Sequence, residues 1–396
     1  MLSTLSPPAA PTGRTADLVE RCLSERFDPA AYRGLRVTVV VPDATRPLHH
    51  AAILPPLLAR LDEVAREVTV LVALGLHRPM TEAELAPVTA VTSNRVIQHA
   101  AHRPAELAEV AIEPCGPLPG RVALHRAVVD ADRVICVGVV EPHQYAGFSG
   151  GAKAVAIGCA SAETITALHG LALLRDPGTR LGALDGNPFQ ACLMNVAAAL
   201  PAVDALQVVP HDLARCHAVF FGPVADAFAR AAEVSRRRLM VQLDAPCAWL
   251  HLPVPAAKAQ SFYQASRAAT YVAGVSRPVV TDQGALVVEA ACPEGAGAGA
   301  GELAFARAMT RGVETLLAQL EGAAPGETRG GEQRAFVLAK TLRRFRVALV
   351  GAPPIDGLDA MGVTQHDTLE GAIAALGLSQ PGLRIEDVFR SVPELR

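Results

Sequence analysis

Short runs of β-branched apolar residues alternate along this chain with stretches rich in alanine and leucine. Runs such as RVTVVVP (36–42) and RVICVGVV (133–140) lack an alternating polar face, which indicates strands that are buried on both sides. Buried parallel strands need helical crossover connections, and the intervening stretches have a helical composition. The alternation therefore predicts an α/β fold with mostly parallel sheets, in which ligands bind beyond the carboxyl ends of the strands.

The same patterns predict the individual elements. Strands are expected at residues 36–42, 68–74, 96–99, 133–140, 205–209, 218–221, 278–281 and 346–351. Helices are expected to start near Pro47 and Thr81, and to span residues 161–174, 187–200, 225–238, 259–275, 302–311, 313–321 and 332–345. The proline-rich residues 238–255 predict a connection between two domains, at 1–240 and 241–396.

Composition argues against several classes of function. The 396 residues carry a net charge of −3 and only 4% aromatic residues, which disfavours nucleic acid as a partner. No apolar run reaches the ~18 residues needed to span a bilayer, and no secretory signal is visible. The eight cysteines form no C-x-x-C pair and indicate reduced, mostly buried thiols. We therefore expect a cytoplasmic protein that binds a small molecule and neither nucleic acid nor membrane.

Two polar clusters directly follow predicted strands. In DATRP (43–47), Asp43 and Arg46 could orient each other, or the guanidinium could bind a carboxylate or phosphate; the alternative is a helix cap beside a surface arginine. In GLHRPMT (75–81), His77 could act as a general base. A loop histidine that is hydrogen-bonded to a carbonyl is the alternative for that position.

A third segment, EPHQYAGFSGGAK (141–153), combines more chemistry. Its glycines and Ser149 permit a loop whose backbone N–H groups cradle a phosphate, although it matches neither G-x-x-x-x-G-K-[ST] nor G-x-G-x-x-G. His143 and Lys153 flank this loop, and His169 follows on the next predicted helix. Three of the 36 basic residues in the chain are lysines, so a lysine at this place suggests that an amine is required. A purely structural turn is the alternative.

These segments resemble, in the same order, the motifs of a known family. DATRP (43–47), GLHRPMT (75–81) and PHQYAGFSGGAKAV (142–155), with His169 beyond them, are similar to the lactate racemases that use the nickel-pincer nucleotide. The segments YQA (263–265) and GGEQRA (330–335) agree with the family too. The third motif is the most specific of these.

The resemblance implies a fold and a cofactor. It implies two α/β domains with mostly parallel sheets and an active site in the cleft between them. It also implies a nickel-pincer nucleotide, which is a pyridinium mononucleotide with two sulfur-containing substituents. One substituent would be tethered to Lys153 as a thioamide. Nickel would be held by two sulfurs, a pyridinium carbon and His169. The partners would be a 2-hydroxy acid substrate and proteins that make the cofactor.

The roles of the remaining residues also follow from the resemblance. His77 and His143 would be the acid/base pair. Other residues would bind the cofactor, namely Asp43, Thr45, Arg46, Ser149, Gly150 and Gly151, or the substrate, namely Arg46, Gln264 and Arg267. Arg267 departs from the lysine of the best-known members, so the identity of the 2-hydroxy acid stays open.

The chemistry explains why two histidines are expected. The hydrogen on the hydroxyl-bearing carbon is barely acidic, so it would leave as hydride while a histidine takes the hydroxyl proton. Hydride return to the opposite face of the planar 2-keto acid gives the other enantiomer and needs a second histidine. The sequence thus predicts a racemase or 2-epimerase of lactate or a related 2-hydroxy acid.

Two other functions stay open. A nicotinamide-dependent dehydrogenase would need a dinucleotide glycine fingerprint after the first strand, and VPDA (41–44) provides none. A nucleotide- or nickel-binding module without turnover would be favoured if one acid/base histidine were missing, whereas both His77 and His143 are present.

Overall fold

A computed structural model of the chain describes residues 2–46, 48–212, 214–322 and 330–396. These residues form two compact units. The N-terminal unit comprises residues 9–168 and 184–237, and the C-terminal unit comprises residues 2–8, 169–183 and 238–396. The division into domains at residue 240 stays a prediction.

Strands and helices of the described residues are numbered in chain order. The strands are β1 (Leu2–Leu5), β2 (Arg36–Pro42), β3 (Glu67–Ala73), β4 (Arg95–Gln98), β5 (Leu107–Ala111), β6 (Arg121–His125), β7 (Arg133–Val139), β8 (Pro142–His143), β9 (Gly147–Phe148), β10 (Val203–Pro210), β11 (Cys216–Pro223), β12 (Met240–Leu243), β13 (Cys247–Pro253), β14 (Val280–Glu289), β15 (Arg346–Val350), β16 (Val363–His366), β17 (Gly382–Ile385) and β18 (Val392–Leu395). The helices are α1 (Thr15–Arg26), α2 (His50–Asp62), α3 (Glu82–Thr89), α4 (Arg126–Val129), α5 (Lys153–Ala156), α6 (Ala162–Leu168), α7 (Leu171–Leu174), α8 (Pro188–Ala198), α9 (Val224–Leu239), α10 (Phe262–Ala265), α11 (Arg267–Ala273), α12 (Ala300–Met309), α13 (Val313–Gly322), α14 (Glu332–Arg344) and α15 (Leu369–Ala375).

The N-terminal unit is built on a six-stranded sheet in the order β11-β10-β7-β2-β3-β4. Within this sheet β10 and β11 are antiparallel, and all other neighbours are parallel. The central residues of β2 and β3 are buried, and their valines pack with leucines of α2 in one apolar core. The carboxyl ends of β7, β2 and β3 therefore lie side by side at one edge of the sheet.

The C-terminal unit contains a second six-stranded sheet, in the order β1-β17-β13-β14-β15-β16, and all its neighbours are parallel. Three two-stranded pairs, β12 with β18, β5 with β6 and β8 with β9, complete the sheets of the described residues. The predicted α/β class with mostly parallel sheets is confirmed. None of the helices in the described residues is long and apolar enough to cross a lipid bilayer.

Two predicted helices are interrupted. The helix expected at 161–174 is split into α6 and α7, because Gly170 is extended (φ −70°, ψ 158°) and caps α7. His169 therefore lies in a turn and not on a helix. The helix expected at 259–275 is split as well. The side chain of Ser261 accepts the Gln264 N–H and starts α10, and α11 starts after Ser266.

The expected proline-rich connection at 238–255 is wrong, because this segment contains β12 and β13. Proline is tolerated at strand ends, and Pro253 is the last residue of β13. The predicted helix start near Pro47 falls on a residue outside the described ranges, and α2 begins at His50.

A buried polar network ties the segment after α1 to the sheet. The Tyr32 hydroxyl donates to Oδ2 of Asp204 at 2.6 Å, and Nη1 of Arg133 lies 3.3 Å from the same oxygen. The Arg133 guanidinium also lies 5.0 Å from the centre of the Tyr32 ring. Burial and then the Asp204 carboxylate raise the pKa of Tyr32 well above its usual value, so the phenol stays a donor.

Replacing Tyr32 with Phe is expected to lower the free energy of unfolding by about 1–3 kcal/mol, since Oδ2 of the buried Asp204 loses the nearer of its two partners. Urea denaturation measures this change. Arg36→Gln is the control, because its ion pair with Asp132 is exposed and should contribute much less. Equal decreases in the free energy of unfolding for the two substitutions would contradict the larger contribution expected of the buried network.

Candidate active site

Asp43 and His77 follow neighbouring strands and meet in space. Asp43 comes directly after β2 and His77 comes four residues after β3, and the parallel register pairs Pro42 with Ala73. Oδ2 of Asp43 lies 2.6 Å from Nδ1 of His77. The other carboxylate oxygen accepts hydrogen bonds from the hydroxyl and the backbone N–H of Thr45, at 2.5 and 3.1 Å. The carboxylate thus orients a histidine, an arrangement that the sequence analysis did not identify.

The Asp43 side chain stays charged although the residue is only 5% exposed. Burial raises its pKa, but hydrogen bonds from His77 and Thr45 outweigh burial and hold the pKa below its usual value. Its contribution to stability is therefore present above the unfolded pKa of about 3.9 and is lost as pH falls through the folded value. In the neutral imidazole of His77, this carboxylate holds the proton on Nδ1 and leaves Nε2 as an acceptor.

His143 is held in a different way. It is the last residue of β8, which pairs antiparallel with β9, and each of these two strands has two residues. Its Nδ1 faces the backbone N–H groups of Tyr145 and Ala146, at 3.2 and 3.1 Å. Two donors at Nδ1 require a lone pair there, so the neutral imidazole carries its proton on Nε2. The two predicted acid/base histidines therefore have opposite tautomers.

The glycine-rich loop after His143 is fixed by internal contacts. The Ser149 N–H donates to the Glu141 carbonyl at 2.8 Å, and the Ser149 hydroxyl donates to the Val139 carbonyl at 2.8 Å. The Gly151 N–H donates to Oε1 of Gln207 at 2.7 Å. Gly150 has φ +88°, and a Cβ there would collide with Gln207. The N–H groups of Ser149 and Gly151 are engaged within the protein, and phosphate binding by residues 149–151 stays a prediction.

Lys153 is the first residue of α5 and is half-buried. Its backbone N–H donates to the Gly150 carbonyl at 3.2 Å, which places the lysine directly after the glycine-rich loop. Beyond the other end of α5, the Gly158 carbonyl accepts the Gly75 N–H at 3.1 Å. A Cβ at Gly158 would lie 2.6 Å from that of Ala73. The segment of Lys153 (residues 153–158) and the loop of His77 (residues 74–78) are therefore in direct contact.

The two motif arginines have separate surroundings. Arg46 is half-buried in the turn of Asp43, where its backbone N–H donates to the Asp43 carbonyl at 3.2 Å. Arg78 is exposed and donates to both carboxylate oxygens of Glu84 at 2.7 Å. Hydrogen bonds from Arg78 and then Thr81 lower the pKa of Glu84 to about 2. Thr81 and Glu84 form the capping box of α3, so the predicted helix start at Thr81 is confirmed.

The predicted substrate residues lie in the C-terminal unit. Oε1 of Gln264 lies 3.4 Å from Nη1 of Arg267, and the Nε of Arg267 is buried without a hydrogen-bond partner among the described residues. Nη2 of Arg334 donates to the Tyr263 carbonyl at 3.1 Å and lies 3.4 Å from the Ser266 hydroxyl. His169 is half-buried in the turn between α6 and α7. In the part of the chain that the structure describes, no three His, Cys, Asp or Glu side chains are grouped to hold a metal ion.

Sequence reasoning missed two residues that support the site. Gln207 is fully buried in β10, and its Nε2 donates to the Cys136 carbonyl at 2.9 Å while Oε1 holds Gly151. A glutamine inside the apolar run ALQVV (205–209) was the available signal. Asn187 caps α8 and donates through Nδ2 to the Tyr145 carbonyl at 2.8 Å. A side chain that both caps a helix and fixes a distant turn has no signature in sequence.

NMR of the imidazole nitrogens, at a pH above the ordinary histidine pKa of about 6.5, should find the proton of His77 on Nδ1 and that of His143 on Nε2. His125 is an internal control, since its Nδ1 accepts the Ala127 N–H at 3.1 Å and should match His143. The same tautomer at His77 and His143 would contradict the geometry.

Part of the chain is similar in sequence to two lactate racemases. The chain is 31% identical to the lactate racemase of Lactiplantibacillus plantarum over 179 residues, which are 44% of this chain and 42% of that protein. It is 29% identical to the lactate racemase of Thermoanaerobacterium thermosaccharolyticum over 194 residues, which are 46% of this chain and 44% of that protein. The aligned part thus spans less than half the length of these relatives.

The fold is similar to solved structures over nearly the whole chain. The lactate racemase apoprotein from Thermoanaerobacterium thermosaccharolyticum matches with a TM-score of 0.86 at 22% identity, over 99% of this chain and 94% of that one. A protein of Thermotoga maritima matches with a TM-score of 0.71 at 18% identity, over 96% of this chain and 97% of that one. Residues 4–182 match the family model described as the lactate racemase N-terminal domain. This part of the chain is therefore similar to the N-terminal domain of lactate racemases.

Proposed function

We propose that the protein is a racemase or 2-epimerase of a 2-hydroxy acid, lactate or a related acid, that uses a nickel-pincer nucleotide. The observation that carries this proposal is the Asp43–His77 pair, a buried carboxylate that orients an accessible imidazole. His77 is 59% exposed at its side chain, and its loop contacts the segment of Lys153. The match of residues 4–182 to the lactate racemase N-terminal domain supports the same function.

The donor groups of the chain fit the cofactor. Lys153 supplies a primary amine for the thioamide tether, directly after a loop whose shape Gln207 and three glycines fix. His169 would supply an imidazole nitrogen to hold nickel, a metal that accepts imidazole ligands readily. Arg46, Thr45 and residues 149–151 would contact the nucleotide. When bound, this group supplies the acceptor and donor of hydride, and the protein supplies orientation and proton transfer.

Proton transfer is assigned to the two histidines. Nε2 of His77 accepts the hydroxyl proton of one enantiomer, and the resulting imidazolium is stabilised by the Asp43 carboxylate 2.6 Å from Nδ1. His143 serves the hydroxyl of the other enantiomer. Asp43 is a positioning residue here, since its oxygens bind His77 and Thr45.

The substrate carboxylate is assigned to Arg46, Gln264 and Arg267. A planar guanidinium binds a carboxylate through two parallel hydrogen bonds, and the Nε of Arg267 is a buried donor that lacks a partner among the described residues. An arginine is bulkier than the lysine of the best-known family members and forks at its end. The arginine therefore leaves both lactate and larger 2-hydroxy acids as candidate substrates.

Racemisation tests the function directly. Protein co-produced with the proteins that make the cofactor is incubated with single enantiomers of lactate and of larger 2-hydroxy acids. Chiral chromatography should detect the opposite enantiomer. Fully loaded protein that interconverts none of these acids would contradict the proposal and favour a binding module without turnover.

Cofactor loading tests Lys153 and His169. Lys153→Arg should lose the covalent mass increase, because a guanidinium cannot form the thioamide, whereas Lys258→Arg should keep it. His169→Ala should lower the nickel content while the tethered mass persists. Intact mass and metal analysis of the purified variants measure both changes. A covalent adduct that survives in Lys153→Arg would refute the tether.

The two histidines are tested by single-turnover formation of the 2-keto acid from each pure enantiomer. His77→Ala should suppress it by about 10²–10⁴ for one enantiomer, and His143→Ala should do so for the other, since each face has its own proton acceptor. Net racemisation should fall in both variants and in both directions. If both variants lose the same enantiomer, the opposite-face assignment is wrong.

A further inference from the structure

Two cysteines that are 77 residues apart bring their sulfur atoms together in the N-terminal unit. Cys115 lies in the connection between β5 and β6, and Cys192 lies in α8. Their Sγ atoms are 2.7 Å apart, well inside the contact distance of two non-bonded sulfur atoms and about 0.7 Å longer than an S–S bond. Both are free thiols in the structure. A small approach of the two side chains would join them.

Neighbouring contacts already hold the two segments side by side. The backbone of Cys115 exchanges two hydrogen bonds with Leu118, at 3.2 and 3.0 Å, which fixes a tight turn. Sγ of Cys192 lies 3.3 Å from the Cys115 carbonyl oxygen. One turn further along α8, Nδ2 of Asn195 donates to the Glu113 carbonyl at 2.5 Å. Cys192 and Asn195 of α8 therefore both contact residues 113–115. The two backbone segments are already adjacent before a covalent bond forms between the sulfur atoms.

We propose that Cys115 and Cys192 form a redox modification site that closes to a disulfide when the protein meets hydrogen peroxide. Cys115 is half-buried and Cys192 is fully buried, so the peroxide reaches Cys115 first. The Cys115 sulfur attacks one oxygen of the peroxide, and the O–O bond breaks. The products are a sulfenic acid on Cys115 and one molecule of water. Sγ of Cys192 then attacks the Cys115 sulfur and displaces its hydroxyl group. The hydroxyl group leaves with the Cys192 proton as a second molecule of water. Two thiols lose two electrons and two protons, and one peroxide becomes two waters.

The other buried cysteines are poor competitors for the oxidant. Reaction with peroxide starts from a thiolate, and burial opposes thiolate formation. Burial raises the pKa of Cys136 to about 12 and raises that of Cys159 well above its usual value. Burial and then the Cys115 thiol raise the pKa of Cys192 to about 12 as well. Cys192 therefore acts as the group that resolves an oxidised Cys115, with no role in the first step.

The disulfide would also stiffen the support of the candidate active site. Asn187 at the start of α8 donates to the Tyr145 carbonyl, and the Tyr145 N–H donates to Nδ1 of His143. A covalent link at Cys192 fixes α8 against the β5–β6 hairpin and thereby restrains this chain of hydrogen bonds. Disulfide formation itself does not depend on the proposed racemase function.

Peroxide titration of the full chain, followed by peptide mapping without reduction, tests the site. We expect one cross-linked peptide that joins Cys115 to Cys192 and that dithiothreitol reverses. Closing a loop this long should raise Tm by roughly 5–10 °C. Slower hydrogen exchange at the Tyr145 and Ala146 amides should accompany it.

Three variants sharpen the test. Cys192→Ser should leave Cys115 as a sulfenic acid that dimedone traps, and Cys115→Ser should leave Cys192 unmodified. Cys22→Ser is the control, since Cys22 is half-buried on α1 and should not affect the cross-link. Over-oxidation of Cys115 without a cross-link in the unsubstituted protein, or a link between other cysteines, would overturn the proposal. Because that measurement needs no variant, a folding defect in a serine variant does not weaken it.

Discussion

Backbone hydrogen bonds hold β7, β2 and β3 parallel and side by side, with Val39 opposite both Ile135 and Val70. Parallel strands end at the same edge, so the three loops that follow them must converge there. Asp43, His77 and His143 come from these loops. The Asp43 carboxylate holds His77, while Gln207 and the Ser149 hydroxyl hold the glycine-rich loop after His143. The alignment of three apolar strands therefore determines where the polar chemistry of the molecule collects.

The two histidines at this edge have different electrostatic surroundings. A carboxylate faces Nδ1 of His77, whereas two backbone amides face Nδ1 of His143. A carboxylate stabilises an imidazolium, and backbone N–H groups oppose a proton at the nitrogen that they face. In this structure Nε2 of His77 is an acceptor, whereas Nε2 of His143 carries a proton. To accept the hydroxyl proton of the other enantiomer, as the proposed reaction requires, His143 needs the turn at Tyr145 and Ala146 to release Nδ1.

Much of the fold could be predicted because buried parallel strands leave a strong local pattern. The strand predicted at 36–42 matches β2, and the predicted helix at 313–321 differs from α13 by one residue. Prediction failed where a local feature divides a predicted helix. Gly170 does so by its extended backbone, and Ser261 does so by a side-chain hydrogen bond that starts a new helix. Within the candidate site, sequence singled out His77, His143 and Lys153 by residue type and position. It could not find the contacts of Asp43 with His77 or of Gln207 with Gly151, because these join residues 34 and 56 positions apart.

The pairing of β1 with β17 joins residues 2–5 to residues 382–385. During translation β1 leaves the ribosome some 380 residues before its partner, a delay on the order of 20–80 s at ordinary elongation rates. A free strand edge of apolar residues would invite pairing with other chains over that time. The sequence of β1, LSTL, is short, carries two hydroxyl side chains and stays largely exposed even when paired. An unpaired β1 therefore offers little apolar surface to other chains, and this edge of the second sheet forms only after residues 382–385 have been synthesised.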